Sequence, residues 1–177
     1  VRIYQLDIGQ IFGPLTALNW TQVGDDIDGE TNQDKSGSSV SLSADGRIVA
    51  ISSPGHESDI NGPVSLLRGT VRIYQSDTNL SSWKQLGNDI DGESGDGSGQ
   101  SVSLSANGTI VAIGSSEANS GKGIVRIYER DTDPNNSLGW KQLNSNIENG
   151  LGSYVMGRSI SLSADGMIVA ISSPGHE

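Results

Sequence analysis

Small polar and apolar residues alternate three times along the chain, as Ser-Val-Ser-Leu-Ser at 39–43 and 101–105 and as Ser-Ile-Ser-Leu-Ser at 159–163. A period of two sends serines to one face and apolar side chains to the other, which predicts a half-buried strand. Ala-Asp-Gly (44–46, 164–166) or Ala-Asn-Gly (106–108) follows and supplies residues that tolerate positive φ in a turn. Next comes Ile-Val-Ala-Ile at 48–51, 110–113 and 168–171. So short and continuous an apolar run predicts a strand buried on both faces. Val-Arg-Ile-Tyr alternates again at 1–4, 71–74 and 125–128 and is rich in strand formers. A tryptophan follows each time, Trp20, Trp83 and Trp140, the last two continuing as Lys-Gln-Leu. No segment sustains a 3.6-residue apolar period, so essentially no helix is expected.

The unit is therefore four strands in about 60 residues, and it recurs. An all-β chain built of repeated four-stranded antiparallel meanders predicts a β-propeller; a β-sandwich or a β-solenoid fits the long, regular self-similarity less well. The chain divides into strands 3–4 of a split blade (1–38), two whole blades (39–100 and 101–158), and strands 1–2 of another split blade (159–177). The two half-blades are complementary. Either two copies pair, each completing the other, or the chain is an excerpt of a longer propeller. The near-identity of 39–57 and 159–177, which differ only at Val40/Ile160 and Arg47/Met167, favours the excerpt.

Composition narrows the class. The chain has 177 residues, 24 of them glycine, no cysteine, and a net charge of −10. An acidic surface repels phosphate backbones, so no nucleic-acid partner is expected. No apolar stretch reaches the length of a membrane span. The lack of cysteine weighs little against secretion, because an array of repeats is stable without disulfides.

At the level of motifs the chain resembles the FG-GAP-like repeats of integrin-α-type propellers. Ser36-Gly37-x-Ser39-Val40 and Ser98-Gly99-x-Ser101-Val102 stand where that family has Phe-Gly. Ser52-Ser53-Pro54 and Ser172-Ser173-Pro174 stand where it has Gly-Ala-Pro, and Gly69 to Tyr74 looks like the strand that follows. The resemblance implies an extracellular or cell-surface setting and a role in adhesion or ligand binding. The family's calcium loop between strands 1 and 2 is not carried over, since Ala44-Asp45-Gly46 is too short to supply the 6–8 oxygens calcium takes.

Three further patterns bear on function. The link from strand 4 to strand 1 is acidic: Asp26, Asp28 and Glu30, with Asp34 following, and Asp89, Asp91 and Glu93, with Asp96 following. Carboxylates at alternate positions around a glycine are candidate calcium ligands; the plainer alternative is a solvated turn whose acids cap backbone amides. The third copy, 146–150, has lost most of these acids, and Tyr154 stands in place of the later Asp. Asn-x-Ser/Thr occurs at Asn19, Asn79, Asn107 and Asn135, all at strand 1–2 or 3–4 links, so glycans would decorate one face and the acidic links the other. His56 and His176 sit in Pro-Gly-His-Glu segments and read as solvated loop residues. The tryptophans recur once per unit and are expected to pack between blades.

These features lead to a non-catalytic, extracellular structural or adhesive module, part of a surface fibre or cell-surface glycoprotein. Its partner, a protein or glycan, would meet the face of the 2–3 and 4–1 links, alongside further blades of the same chain or a second copy. The alternative is a lectin-like or cation-dependent binding module. An enzyme would need unique, unrepeated acid–base groups, whereas the acids here recur.

Overall fold

The structure, a computed structural model, describes residues 1–7, 19–56, 67–133, 139–148 and 155–175. It is nearly all-β, with 40% of the described residues in strands and 3% helical. The first sheet pairs β1 (Tyr4–Asp7) with β2 (Asn19–Gln22). The second runs β3 (Val40–Leu42), β4 (Ile48–Ser53), β5 (Thr70–Ser76) and β6 (Trp83–Gln85) in that order, with β7 (Ile90–Asp91) also on β5. The third repeats it with β8 (Ser101–Leu104), β9 (Ile110–Ser115), β10 (Ile124–Arg130), β11 (Trp140–Gln142) and β12 (Ile147–Glu148). The fourth pairs β13 (Ile160–Leu162) with β14 (Val169–Ile171). All pairings are antiparallel, as the alternating patterns require. The one helical element among the described residues, α1 (Ala118–Gly121), is a single turn in which Asn119 and Ser120 have positive φ.

Ile-Val-Ala-Ile lies between two neighbours, which is why it shows no alternation. Val49 and Ile51 of β4 pack with Ile3, Val23 and Ile27 of the first sheet. On its other face Ile48 and Ala50 join Val71, Ile73 and Ile90, and these meet Val102, Leu104, Val111, Ile113 and Trp140 of the third sheet. Every residue of β4 is buried. Each such Val or Ile contributes on the order of 1.5–3 kcal/mol on burial.

The serines of the first strands do something the alternation does not announce. The Val102 amide donates to Ser39 Oγ (3.1 Å) and the Leu104 amide to Ser41 Oγ (2.9 Å). One sheet further on, the Leu162 amide donates to Ser103 Oγ (2.9 Å). The turns follow suit: the Ala44 amide donates to the Ala106 carbonyl and the Ala106 amide to the Ala164 carbonyl, both at 2.8 Å. First strands thus lie against first strands, and hydroxyls of one sheet satisfy edge amides of the next.

Strand 4 is longer than Trp-Lys-Gln-Leu. Tyr74 pairs with Gln85 but Val71 pairs with Ile90, so three steps along β5 match five along its partner. The two surplus residues form a bulge, and β7 resumes the strand inside what reads in sequence as the acidic link. The third sheet repeats this offset between β11 and β12. Positive φ falls at the same bulge position each time, Gly24 (67°), Gly87 (78°) and Asn144 (58°). The first two bulges each receive the next sheet's tryptophan: Trp83 Nε1 donates to the Val23 carbonyl (3.0 Å) and Trp140 Nε1 to the Leu86 carbonyl (2.8 Å). A Cβ on Gly24 would stand 2.9 Å from the Trp83 ring. Trp83 and Trp140 therefore pack between sheets, as the recurrence implies, whereas Trp20 is exposed.

Replacing Ser41 by Ala should leave the buried Leu104 amide without its acceptor. The expected loss is on the order of 1–3 kcal/mol in urea unfolding, with faster hydrogen exchange at Leu104; unchanged exchange there would show that the hydroxyl is dispensable.

Candidate functional site

The strand 2–3 and 4–1 ends of the sheets carry a repeated charge network, organised by the arginine of Val-Arg-Ile-Tyr. Arg72 is central in β5 and buried. Its Nε donates to Asp89 Oδ2 (2.8 Å), and its Nη2 lies 2.8 Å from both Asp89 Oδ2 and Glu30 Oε2. Asp89 belongs to the bulge of the same sheet; Glu30 comes from the link before it. Burial alone would lower the Arg72 pKa, but the hydrogen bond and charge of Asp89 and the charge of Glu30 outweigh it, and the guanidinium is held above its usual value.

The other arginines vary this theme. Arg2 lies just before β1, with no described sheet before it, and among the described residues pairs with Asp26 alone, at 2.9 Å and largely in solvent. Arg126 has no acid in its own bulge, because Asn146 stands where Asp26 and Asp89 do. It turns entirely to the preceding link, with Nη1 2.6 Å from Asp96 Oδ2 and Nη2 3.3 Å from Glu93 Oε1. A glutamine steadies the bulge residue in every unit: Gln22 Nε2 donates to Asp26 (2.7 Å), Gln85 Nε2 to Asp89 (2.7 Å) and Gln142 Nε2 to Asn146 (3.0 Å).

Asp34 is buried and caps its own link. Its Oδ2 accepts from the Glu30 and Thr31 amides (2.9 and 3.0 Å) and its Oδ1 from the Thr31 hydroxyl (2.5 Å). His56 Nδ1 lies 3.2 Å from Oδ1. Burial raises the carboxyl pKa, but the bonds from Thr31, His56 and the Glu30 amide together lower it to about 2. Asp96 likewise accepts from the Glu93 amide (2.9 Å). His56 is thus a partner of a buried carboxylate rather than a solvated loop residue; His176 lies outside the described residues.

The six candidate calcium ligands do not converge. Asp26, Asp89, Glu30 and Glu93 are turned to arginines, while Asp28 and Asp91 are exposed. Among the described residues no group of three His, Asp or Glu side chains is placed to hold a metal ion. Tyr154 lies outside the described residues. The organising role of Arg2, Arg72 and Arg126 is absent from the sequence analysis; its signal was a cation repeated once per unit beside repeated acids.

At the opposite ends of the strands, Asn19 and Asn79 are exposed. Asn107 is exposed too, but its Oδ1 accepts from Ser105 Oγ (2.8 Å), the Thr109 amide (3.1 Å) and Thr109 Oγ1 (2.8 Å). It fills the place where Asp45 and Asp165 brace the equivalent turns. Asn135 lies outside the described residues. A cleft of about 430 Å³ is lined by Gln75, Asp77, Ser82, Lys84 and Leu86 among others. The sequence matches no family model and no curated protein.

Two expectations follow from these contacts. Arg126→Met strands the buried Asp96 and should cost about 3 kcal/mol in urea unfolding, whereas Arg2→Met removes a solvated pair and should cost far less; equal losses would show that the network does not differ in burial. Asp34 has a folded pKa below its unfolded value, so its contribution of about 2 kcal/mol is complete above the unfolded pKa and is lost as pH falls from about 5 toward 2. Melting temperature against pH should fall less steeply in that window for Asp34→Asn than for the parent chain.

Proposed function

We propose that the chain is a segment of an FG-GAP-like β-propeller acting as a non-catalytic structural or adhesive module outside the cell, glycosylated at its strand 1–2 and 3–4 ends and meeting a protein or glycan partner at its 2–3 and 4–1 ends. One observation supports this above the others: consecutive meander sheets stack first strand on first strand, while their fourth strands are joined by one tryptophan per step. Sheets held closely at one edge and through a large side chain at the other suit a radial arrangement.

A binding rather than catalytic role draws support from how the charges are used. The acids and arginines recur unit by unit and neutralise one another, so the network fixes the spacing of the links. What these ends offer a partner is the exposed remainder, including Asp28 and Asp91. The exposed Asn79, in a turn braced by Asp77 through the Ser81 amide (2.7 Å), sits apart from that surface.

The test is secretion from a eukaryotic host followed by intact mass before and after peptide-N-glycosidase. The expected result is a mass drop on treatment, reduced by one glycan in Asn79→Gln. An unchanged mass in the parent chain would remove the glycosylated, extracellular reading.

A further inference from the structure

We propose that Asn107-Gly108 is a deamidation site which the folded turn keeps closed, so that Asn107 converts to aspartate when the turn opens and the aspartyl product folds back into the same turn. In this step the Gly108 nitrogen attacks Asn107 Cγ, the Cγ–Nδ2 bond breaks, and ammonia leaves with the Gly108 proton. Water then opens the cyclic imide on one side or the other, giving aspartate or its isoaspartyl isomer. Glycine favours the attack because no side chain shields its nitrogen.

In the folded chain both reacting groups are committed elsewhere. The Gly108 amide donates to the Ser105 carbonyl at 2.9 Å, and Gly108 is buried. Asn107 Oδ1 holds the Ser105 hydroxyl, the Thr109 amide and the Thr109 hydroxyl. Closing the imide needs the glycine N–H released and the side chain swung away from three donors. Those donors would stabilise an oxyanion on Oδ1, but only for a nucleophile that is free, and this one is bonded. Neighbouring units clamp the turn from both sides. The Ala44 amide donates to the Ala106 carbonyl and the Ala106 amide to the Ala164 carbonyl. A Cβ on Gly108 would stand 2.6 Å from Ile48 Cδ1. Reaction therefore waits on local opening of the turn.

The other units show what the turn accepts as product. Asp45 Oδ1 takes Ser43 Oγ (2.6 Å) and the Arg47 amide (3.0 Å), and Asp165 Oδ1 takes Ser163 Oγ (2.5 Å) and the Met167 amide (3.0 Å). These bonds, the serine's first, hold both carboxyls below the usual carboxylate range. An aspartate at position 107 finds the same serine and the same backbone amide. The isoaspartyl isomer instead runs the main chain through Cβ and Cγ and adds a methylene before Gly108. With Gly108 at φ 68° and packed on Ile48, this turn has no place for it.

The test ages the chain, made in a bacterial host, at mildly alkaline pH, both folded and in guanidinium chloride. Peptide mass spectrometry follows Asn107 apart from the other Asn-Gly pairs, Asn61-Gly62 and Asn149-Gly150, which lie outside the described residues. Loss of Asn107 should be at least about tenfold slower in the folded chain than in denaturant. Thr109→Val removes one donor to Oδ1, so it should speed the folded reaction several-fold and leave the rate in denaturant unchanged. After refolding of the denatured sample, the protease-resistant fraction should hold the aspartyl form and be depleted of the isoaspartyl one. Asn107→Asp should melt with the parent chain at neutral pH. Equal or faster loss in the folded chain, no effect of Thr109→Val, isoaspartate retained in the folded fraction, or a lowered melting temperature in Asn107→Asp would each overturn the proposal.

Discussion

The contact on which the array depends is the bond from a first-strand amide to a serine hydroxyl one sheet away. An edge strand presents polar groups that must be satisfied, and a dry apolar contact there would leave them stranded. Serine is small enough to let two strands approach and still carries an acceptor. The apolar alternates of the same strands, Val102 and Leu104, are then brought into the core beside β4. A larger polar residue would hold the sheets apart, and alanine would close the gap but abandon the amide. The alternation of serine with Val and Leu thus meets two demands at once, polar satisfaction on one side and burial on the other.

Farther along the strands the same problem is solved with charge. Buried guanidinium groups at Arg72 and Arg126 carry a desolvation cost that carboxylates must offset. Those carboxylates come partly from the bulge of the same sheet and partly from the link before it, so each pair ties neighbouring units together. The loss of the bulge acid at Asn146 is absorbed because Glu93 and Asp96 both face Arg126. Such a network contributes less to net stability than to the placement of one link relative to the next.

Much of the strand order was legible in the sequence, because alternation and apolar runs are local. Ile-Val-Ala-Ile read as doubly buried and is so at 48–51 and, but for Ile110, at 110–113, while 168–171 is half-buried to exposed; the meander order followed from short turns. Three features were not legible, two of them because their partners lie tens of residues away. The serine hydroxyls bond amides 59 or 63 residues distant. Arg72 reaches Glu30, and Arg126 reaches Asp96 30 residues back. The bulge at Gly87-Asn88-Asp89 has the composition of a turn, so strand 4 was ended too early and its continuation counted as link. That error also shaped the expectation of calcium ligands. Carboxylates at alternate positions suit an ion in a curled loop, but here each is engaged separately: Asp26 goes to Arg2 and Glu30 to Arg72, while Asp28 is left in water.

The braced turn at Asn107 has a consequence of its own. In the other two units an aspartate holds the turn through one carboxylate oxygen. Asparagine does the same work with its amide oxygen alone, which leaves the nitrogen outside the set of bonds that shape the turn. Sugar attachment uses that nitrogen. Backbone bracing and covalent modification therefore fall on different atoms of one side chain, and a modified Asn107 would keep its turn.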